Sequence, residues 1–440
     1  MTTGQGPGPK FAIVGAGPAG FYAAEALDTE CPGAEIDIIE RLPTPFGLIR
    51  AGVAPDHQTT KTIQDAFEQI AQRPNVRIVG NVEVDRDVTI AELAQFYDAV
   101  VLASGAPDDA PLDVPGGDLP GVYGAAEFVG WYNAHPDHAG LDPLLDRDSV
   151  VVIGNGNVAI DIARILSKSA AELATSDIAA HASERLAQAR ISDVHIVGRR
   201  GPLEAKFTTV ELRELGELEE AVAVAESHQI PDAVGSELSP RDRRVKGKNL
   251  ECFKSFAQTD PSAKARRIRF QFNARPLEVL GNERVEAICF ERTRVENGQV
   301  AGTGETFEIA CGAVISAIGY RARPLGGLAV SATGDRLTNT DGRIAPGLYV
   351  VGWLRRGPSG KIGTNRTDAE DVAALIRSEL VVGDKPGLAG LKPLLASRNV
   401  RTTDYVDWKK IEAAEIAAAS GDKPRCKFAT MHEMLAVLGA

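Results

Sequence analysis

Two glycine-rich turns constrain this chain more than any other feature. The first, Gly15–Gly20 (GAGPAG), follows the apolar run Phe11–Val14, and the second, Gly154–Ala159 (GNGNVA), follows the apolar run Val150–Ile153. Each turn opens into a segment with helical apolar spacing. A strand, a tight glycine turn and a helix N-terminus form a pyrophosphate cradle, because glycines allow close backbone approach and the helix dipole favours an anion. Two cradles predict two dinucleotides, and two dinucleotides in one chain indicate electron transfer between them.

The residues that follow the next strand after each glycine turn predict which dinucleotide is bound. The strand Glu35–Ile39 is followed by Glu40, and an acid there normally accepts the ribose hydroxyls of an adenosine cofactor. The strand Asp193–Val197 is followed instead by Arg199 and Arg200. Guanidinium groups suit a 2′-phosphate, which favours NADP over NAD. The alternative interpretation of Glu40 is a solvated carboxylate at the end of a strand. The alternative interpretation of Arg199 and Arg200 is an exposed basic turn.

Composition narrows the class of protein. The 440 residues carry a formal net charge of −12, which argues against general nucleic-acid binding. The five cysteines lie far apart without a Cys-x-x-Cys pair, so no dithiol centre, iron–sulfur cluster or metal site is supported. Scattered cysteines suit a reducing compartment. Because residues 1–10 lack a signal-peptide core and no apolar run is long enough to span a bilayer, we expect a cytoplasmic location.

Apolar spacing predicts further elements along the chain. The Pro-rich stretch 107–120 is a plausible crossing point between domains. The remaining predictions are a helix over Thr60–Ala71, short strands at Val76–Val79 and Val82–Val84, a helical insertion over Ala170–Ala189, a helix over Phe207–Leu218, and antiparallel strands within Ile268–Phe307.

Three longer motifs carry a resemblance to a known family. They are Pro45–His57 (PFGLIRAGVAPDH), Gly154–Arg164 (GNGNVAIDIAR) and Gly352–Asn365 (GWLRRGPSGKIGTN). In this order, and over nearly the whole chain, the sequence resembles the adrenodoxin reductase family, which includes actinobacterial-type NADPH–ferredoxin reductases. Glycine turns recur in many enzymes, so Pro45–His57 is the most diagnostic of the three.

The resemblance implies an α/β fold with two dinucleotide-binding, Rossmann-like domains of three-layer architecture. An FAD domain would be split into residues 1–107 and 320–440, with an NADP domain, residues 108–319, inserted between the two segments. The implied enzyme is an NADPH–ferredoxin oxidoreductase. Hydride from NADPH passes to FAD, and electrons leave one at a time for a separate ferredoxin-type iron–sulfur protein. A cytochrome P450 is one candidate for the final consumer.

The glycine turns and the resemblance together give the candidate binding residues. Those expected against FAD are Gly15, Gly17, Ala19, Gly20, Glu40, Leu48, Val84, Trp353, Gly360, Lys361 and Ile362. Those expected against NADP are Gly154, Asn155, Gly156, Asn157, Val158, Arg199, Arg200 and Glu211. Gly360 is also implied to approach the nicotinamide.

Three candidate catalytic residues follow from the same resemblance. His57 and Asp161 correspond to residues that the family keeps close to the flavin, and Glu214 is a further candidate beside the nicotinamide. An imidazole titrates near neutrality, so His57 is suited to tune the flavin or move a proton. The alternative interpretation of His57 is a core or surface histidine without a chemical role. The alternative interpretation of Asp161 is a carboxylate near the start of a helix that the helix dipole stabilises.

The densest basic run is a candidate docking surface for the partner. Because a ferredoxin is usually acidic and this chain is acidic too, docking needs a local basic surface. The run lies in the region where family members dock their partner, and its alternative is a solvated loop. Its members are Arg241, Arg243, Arg244, Lys246 and Lys248.

Other functions fit parts of the pattern. An NADPH-dependent quinone or diaphorase-type reductase, or a flavin monooxygenase, would share the same motifs. A thioredoxin-reductase-like enzyme needs a cysteine pair and a glutamate-synthase-like subunit needs clustered cysteines, and this sequence has neither. A dinucleotide-sensing binding protein would hold FAD that NADPH fails to reduce.

Overall fold

The structure is a computed structural model that describes residues 8–236, 238–296 and 298–439. The chain forms two compact units. Unit 1 comprises the residues up to Asp108, Tyr320–Ser420 and the residues from Arg425 onward, and unit 2 comprises Asp109–Gly319 and Gly421–Pro424. Unit 1 is therefore assembled from segments that lie far apart in the sequence.

Most strands of the described residues are short, as is usual in α/β proteins. In chain order they are β1 Lys10–Val14, β2 Glu35–Ile39, β3 Val76–Val79, β4 Ala99–Leu102, β5 Asp108–Asp109, β6 Val122–Gly124, β7 Ser149–Ile153, β8 Asp193–Val197, β9 Ala221–Ala225, β10 Arg266–Gln271, β11 Ala274–Leu280, β12 Ala287–Glu296, β13 Gln299–Ala310, β14 Ala313–Ser316, β15 Tyr320–Arg321, β16 Arg343–Ala345 and β17 Leu348–Val350.

Helices connect many of these strands. They are α1 Pro18–Glu30, α2 Leu48–Ala51, α3 Gln58–Lys61, α4 Ile63–Ala71, α5 Ile90–Phe96, α6 Ala125–Tyr132, α7 Asn157–Ser167, α8 Ala180–Gln188, α9 Thr209–Leu215, α10 Pro240–Phe256, α11 Trp353–Arg356, α12 Thr364–Glu379, α13 Leu388–Ser397, α14 Tyr405–Ala417 and α15 Met431–Ala436, with a 3₁₀ turn at Ser227–Gln229. No helix in the described part of the chain is long and apolar enough to cross a membrane.

Unit 1 is a three-layer α/β domain. Its sheet has the order β16-β17-β4-β1-β2-β3, and all its strand pairs are parallel except β16 with β17. Alternate residues of β1 face opposite layers: Phe11 and Ile13 pack with α1, α4 and α12, while Ala12 and Val14 pack with α5 and α13. Because β1 lies between β2 and β4, its carboxyl end is a topological switch point, where ligands bind in open α/β sheets.

Unit 2 repeats this arrangement. Its sheet has the order β6-β14-β7-β8-β10-β9, with parallel pairing throughout. Strand β7 lies between β14 and β8, so the carboxyl end of β7 is a second switch point. Each glycine turn of the sequence therefore follows the strand that ends at a switch point.

The prediction of antiparallel strands throughout Ile268–Phe307 is wrong in its first part. Strands β11, β12 and β13 form an antiparallel sheet, but β10 pairs in parallel with β8 and β9. The sequence of β10 alternates apolar and charged residues because Arg267 and Arg269 both pair with Asp193, which begins β8. This ion-pair cluster gives an inner parallel strand a pattern that is typical of a half-exposed one.

Other predicted elements are shorter than expected. Val82–Val84 is not a strand, and Val84 makes only an isolated bridge to Val88. The insertion predicted over Ala170–Ala189 is helical only at Ala180–Gln188. Ahead of that helix the Ser176 hydroxyl donates to the Leu173 carbonyl at 2.7 Å and accepts the Ile178 N–H at 3.4 Å, and such local bonds compete with a continuing helix.

Candidate functional site

The first glycine turn has no room for side chains at two positions. Gly15 has φ +114°, and its N–H donates to the Ile39 carbonyl at 2.8 Å. A Cβ there would lie 2.7 Å from the Ala103 carbonyl oxygen, and a Cβ on Gly20 would lie 1.9 Å from the Gly15 oxygen. Both distances are below any real contact, so the turn requires glycine for steric reasons.

Helix α1 begins with donors that suit an anion. Gly17 is its N-cap and offers no side chain, and Pro18 at the first position has no N–H. The first N–H groups of a helix have no acceptor within the helix, so those of Ala19 and Gly20 face the end of the turn. A strand, a tight glycine turn and a helix N-terminus without a capping side chain therefore follow one another at the carboxyl end of β1.

The Pro45–His57 motif closes against this cradle backbone to backbone. Phe46 has a left-handed φ of +81°, and its N–H donates to the Ala16 carbonyl at 2.7 Å. A Cβ on Gly47 would lie 3.0 Å from the Cα of Gly17, so this contact is also tight. The sequence of this motif is therefore constrained by its close backbone contact with the glycine turn, which explains why the motif is diagnostic.

The third motif approaches the same place from the second segment of unit 1. Gly352 has φ +72°, and a Cβ on it would lie 2.6 Å from the Ala19 Cβ. Its N–H donates to the buried Asp368 carboxylate, which also accepts a hydrogen bond from Arg355 at 2.8 Å. Helix α12, which carries Asp368, packs against α1. Unit 1 thus brings two of the three motifs to its glycine turn.

Glu40 braces the turn. Its Oε2 accepts the Ala16 N–H at 2.7 Å, and its Oε1 accepts the Leu42 N–H at 3.0 Å. Burial raises the pKa of this carboxyl, and the two backbone hydrogen bonds oppose that rise. Two carboxylate oxygens offer about four acceptor sites. The pair of backbone bonds therefore leaves acceptor capacity for ribose hydroxyls.

The other candidates in unit 1 differ in exposure. Leu48 is 49% exposed, which is unusual for a large apolar side chain in a buried motif, whereas Val84 is buried. The Trp353 ring stacks on Tyr320 with centroids 5.6 Å apart, and its Nε1 donates to the Ser359 carbonyl at 3.1 Å. These contacts fix the indole plane beside the third motif.

The loop Gly360–Ile362 leads into α12. Gly360 has φ +84°, and the Lys361 N–H donates to the Thr364 hydroxyl at 3.1 Å. Ile362 packs partly against the core of unit 1. His57 lies at the N-cap of α3 and is half-buried, with its carbonyl accepting the Thr60 N–H at 3.1 Å.

The second glycine turn, in unit 2, is built like the first. Gly154 has φ +154°, and its N–H donates to the Val197 carbonyl at 2.8 Å. A Cβ on Gly154 would lie 2.5 Å from the Ala317 carbonyl oxygen. Gly156 is the N-cap of α7, so the N–H groups of Asn157 and the half-buried Val158 begin the helix without a capping side chain from that residue.

Two asparagines tie this turn to the segment that follows β8. Asn155 Nδ2 donates to the Arg200 carbonyl at 3.1 Å, and a Cβ on Gly198 would lie 1.9 Å from that Nδ2 atom. Asn157 Oδ1 accepts the Thr208 N–H at 2.9 Å. The side chains at these positions thus connect the pyrophosphate cradle to the basic turn.

Arg199 and Arg200 stand at the carboxyl end of β8, next to the second cradle. The Arg199 side chain is exposed, and its carbonyl accepts the Thr293 hydroxyl at 2.9 Å. Arg200 is half-buried, and its Nε lies buried without an acceptor among the described residues. A buried guanidinium N–H needs an acceptor, and a phosphate would supply one.

Three candidate acids in unit 2 meet at a residue that the sequence interpretation left without a role. Arg164 is 1% exposed, and its Nη2 lies 2.9 Å from Asp161 Oδ1. Its Nη1 lies 3.5 Å from Oε2 of Glu211 and 3.5 Å from Oε2 of Glu214. The one sequence signal was an Asp–Arg pair at i and i+3, the spacing of neighbours on a helix.

The basic run is helical, so its interpretation as a solvated loop is wrong. Arg241, Arg244 and Lys248 follow each other at i, i+3 and i+7 in α10, which places them on one face. Arg241, Arg243 and Arg244 are exposed, and Lys246 and Lys248 are half-buried. Arg243 turns back to its own chain and donates to the carbonyls of Ser236 and Leu238.

Comparisons with known proteins show which sequences this chain resembles. Residues 9–214 match the family model for pyridine nucleotide-disulphide oxidoreductases. NADPH-ferredoxin reductase FprA of Mycobacterium tuberculosis is 41% identical, over 97% of this chain and 98% of that protein. The mitochondrial NADPH:adrenodoxin oxidoreductase of Homo sapiens is 39% identical, over 98% of this chain and 92% of that protein.

Solved structures extend the likeness to three dimensions. Mycobacterium tuberculosis FprA in complex with NADPH superposes with a TM-score of 0.92 at 39% identity, covering 98% of this chain and all of that one. The predicted α/β fold with two Rossmann-like domains is confirmed.

Proposed function

We propose that this chain, which belongs to the adrenodoxin reductase family, is an FAD-dependent NADPH–ferredoxin oxidoreductase. It is an oxidoreductase that uses FAD and NADP(H) and passes electrons from NADPH to a ferredoxin-type iron–sulfur protein. The observation that carries this proposal is the presence of one dinucleotide cradle at the switch point of each unit. The quinone reductase and monooxygenase alternatives are not favoured.

We assign FAD to unit 1. The N–H groups at the start of α1 would hold its pyrophosphate, and Glu40 would accept ribose hydroxyls while it braces the turn. Leu48, Trp353 and the loop Gly360–Ile362 would supply the walls of the site. These residues would bind and orient FAD, which would supply the chemistry that links a two-electron donor to a one-electron acceptor.

We assign NADP(H) to unit 2. The start of α7 would hold the pyrophosphate, and Arg199 and Arg200 would bind the 2′-phosphate. Asn155 keeps the two subsites in register, because its side chain joins the turn to the Arg200 carbonyl. In the same proposal Glu211 binds near the nucleotide ribose, and Asp161, Glu214 and His57 orient the reacting groups or move protons.

An anaerobic titration tests the function. We expect purified protein to be yellow and to be bleached by far less NADPH than NADH. Arg199→Ala with Arg200→Ala should remove most of that preference, whereas Arg294→Ala, an exposed residue of β12, should not. A colourless protein that FAD does not reconstitute, or a yellow protein that neither nucleotide bleaches, would overturn the proposal.

The partner would dock on α10. The face formed by Arg241, Arg244 and Lys248 is supported as a docking surface by its positive charge, because the partner is expected to be acidic. Charge reversal with Arg241→Glu and Arg244→Glu should slow ferredoxin reduction most at low salt and spare small artificial acceptors. Arg294→Glu is the matched control. Equal loss with both kinds of acceptor would refute the docking assignment.

The same proposal includes the cellular location of the protein and the final acceptor of its electrons. A cytoplasmic location is supported by five cysteines that are all free thiols in the structure. A cytochrome P450 is a suitable final consumer, because it takes single electrons from iron–sulfur proteins. A reconstituted chain of NADPH, this protein, a ferredoxin and a P450 would measure that step directly.

A further inference from the structure

Arg164 is the most buried charged group of the site in unit 2. It lies on α7, seven residues after the start of the helix, and only 1% of its surface is exposed. Seven residues of helix rise about 10 Å. The Cα of Arg164 therefore lies about two turns behind the helix N-terminus, and its buried side chain reaches back to Asp161, about one turn nearer to that end.

Its contacts join two helices. Asp161 lies on α7 itself, whereas Glu211 and Glu214 lie on α9, which packs against α7. Helix α9 is held at its start by the Thr208 hydroxyl, which accepts the Glu211 N–H at 3.4 Å. Arg164 faces all three carboxylates, at 2.9, 3.5 and 3.5 Å.

Three carboxylates beside an anion-binding helix end need a local cation. NADPH brings a pyrophosphate and a 2′-phosphate, and uncompensated carboxylates nearby would repel it. The repulsion is strongest where burial keeps water away and lowers the effective dielectric constant. A guanidinium is suited to hold several carboxylates because its five N–H donors lie in a fixed plane.

We propose that Arg164 is a positioning residue for NADPH binding. It holds the carboxylates of Asp161, Glu211 and Glu214 in place and compensates their charge, so that the polyanionic dinucleotide binds at the amino end of the same helix. The inference rests on the proposed function, because it concerns the same nucleotide site. It predicts an effect on nucleotide affinity before any effect on the rate of turnover.

The test compares two substitutions in the FAD-loaded protein. Arg164→Gln removes the charge and keeps hydrogen-bonding capacity, and Arg164→Lys keeps the charge. We expect Arg164→Gln to raise the Kd for NADP⁺, measured by calorimetry, and the KM for NADPH by at least about tenfold, a larger factor than the accompanying fall in kcat. Arg164→Lys should recover part of the affinity, because it restores the charge without the planar set of donors.

A matched control separates this role from a general loss of structure. Arg267 pairs with Asp193 at the start of β8, the end of the sheet that lies away from the glycine turn. Arg267→Gln removes an ion pair of the same unit that is less buried, and it should leave the Kd for NADP⁺ unchanged. A charge-compensated variant, Arg164→Gln with Glu214→Gln, should bind NADP⁺ more tightly than Arg164→Gln alone.

The outcomes divide clearly. An unchanged Kd in folded, yellow Arg164→Gln protein would overturn the inference, and so would a Lys variant that binds as weakly as the Gln variant. Affinity lost equally in Arg267→Gln would also overturn it, because the effect would then be structural. Failure of the proposed function is distinguishable, since the unmodified protein would then bind no NADP⁺.

Discussion

Replacing Arg50 with methionine should destabilise unit 1 strongly. Arg50 lies in the Pro45–His57 motif and forms a two-point ion pair with Glu415 of α14, one of whose bonds measures 2.8 Å. The Arg50 side chain is 7% exposed and the Glu415 side chain is fully buried. The guanidinium also stacks on Trp408, 5.4 Å from its ring centre.

The size of the expected loss in stability depends on Glu415, whose carboxylate would stay buried without the Arg50 guanidinium. Removing one partner of a buried ion pair costs about 3–5 kcal/mol, because the other charge stays buried without compensation. Glu415 would keep the Phe428 N–H at 2.9 Å and the more distant Arg425 at 3.8 Å, so we expect a loss near about 3 kcal/mol. For a unit of roughly two hundred residues, that lowers Tm by about 6–12 °C.

Thermal unfolding followed by flavin release and circular dichroism measures this shift. Arg377→Met is the control, because Arg377 pairs with Glu30 at 2.9 Å but is 66% exposed, and we expect its Tm to move by less than about 3 °C. Arg50→Met combined with Glu415→Met removes the stranded charge and should recover part of the loss. If Arg50→Met melts no lower than the control, the reasoning is refuted.

Two further perturbations test other parts of the structure. Burial lowers the pKa of His195 to about 4, whereas the pKa in the unfolded chain is near 6.5. Between these two pH values only the unfolded chain binds the proton. The free energy of unfolding of unit 2 should therefore fall by up to about 3 kcal/mol as the pH falls from 6.5 to 4. His195→Asn should reduce the Tm difference between pH 7.5 and 4.5, and an undiminished difference would contradict the assignment. Gly352→Ala should weaken FAD retention in gel filtration, because its Cβ would meet Ala19 at 2.6 Å, while Gly363→Ala, with open space and a negative φ, should retain the cofactor. Equal retention in both variants would show that the close approach is unimportant.

Local patterns in the sequence predicted the parts of the fold that local interactions determine. Strands β2 and β8 have the predicted bounds, because each is a short apolar or alternating run bounded by turn residues. Both glycine turns were identifiable because their steric demands act over a few residues. Helix α10 was missed, although the Ser239 cap and the apolar spacing of Leu250 and Phe253 were available as signals.

The remainder depends on contacts between distant parts of the chain. Arg50 and Glu415 are 365 residues apart, and an isolated sequence does not show that they pair. Arg164 appeared as one more charged residue in a helical motif, because its burial arises only when α9 packs against α7. Predicting which charged side chains are buried requires the tertiary structure, whereas the glycines of a tight turn can be predicted from the local sequence.

The ion pair between Arg50 and Glu415 also sets an order for synthesis. A ribosome adds about 5–20 residues per second, so Arg50 leaves it roughly 20–70 s before its partner is made. Strand β17, which pairs with β4, is also made only after the whole inserted segment 109–319. A nascent or truncated chain that ends before α14 therefore carries the first glycine turn without the contacts that fix the motif beside it. The Pro45–His57 motif therefore reaches its final contacts only after nearly the whole chain has been made, and we expect a chain that ends before α14 to retain FAD less well than the full chain.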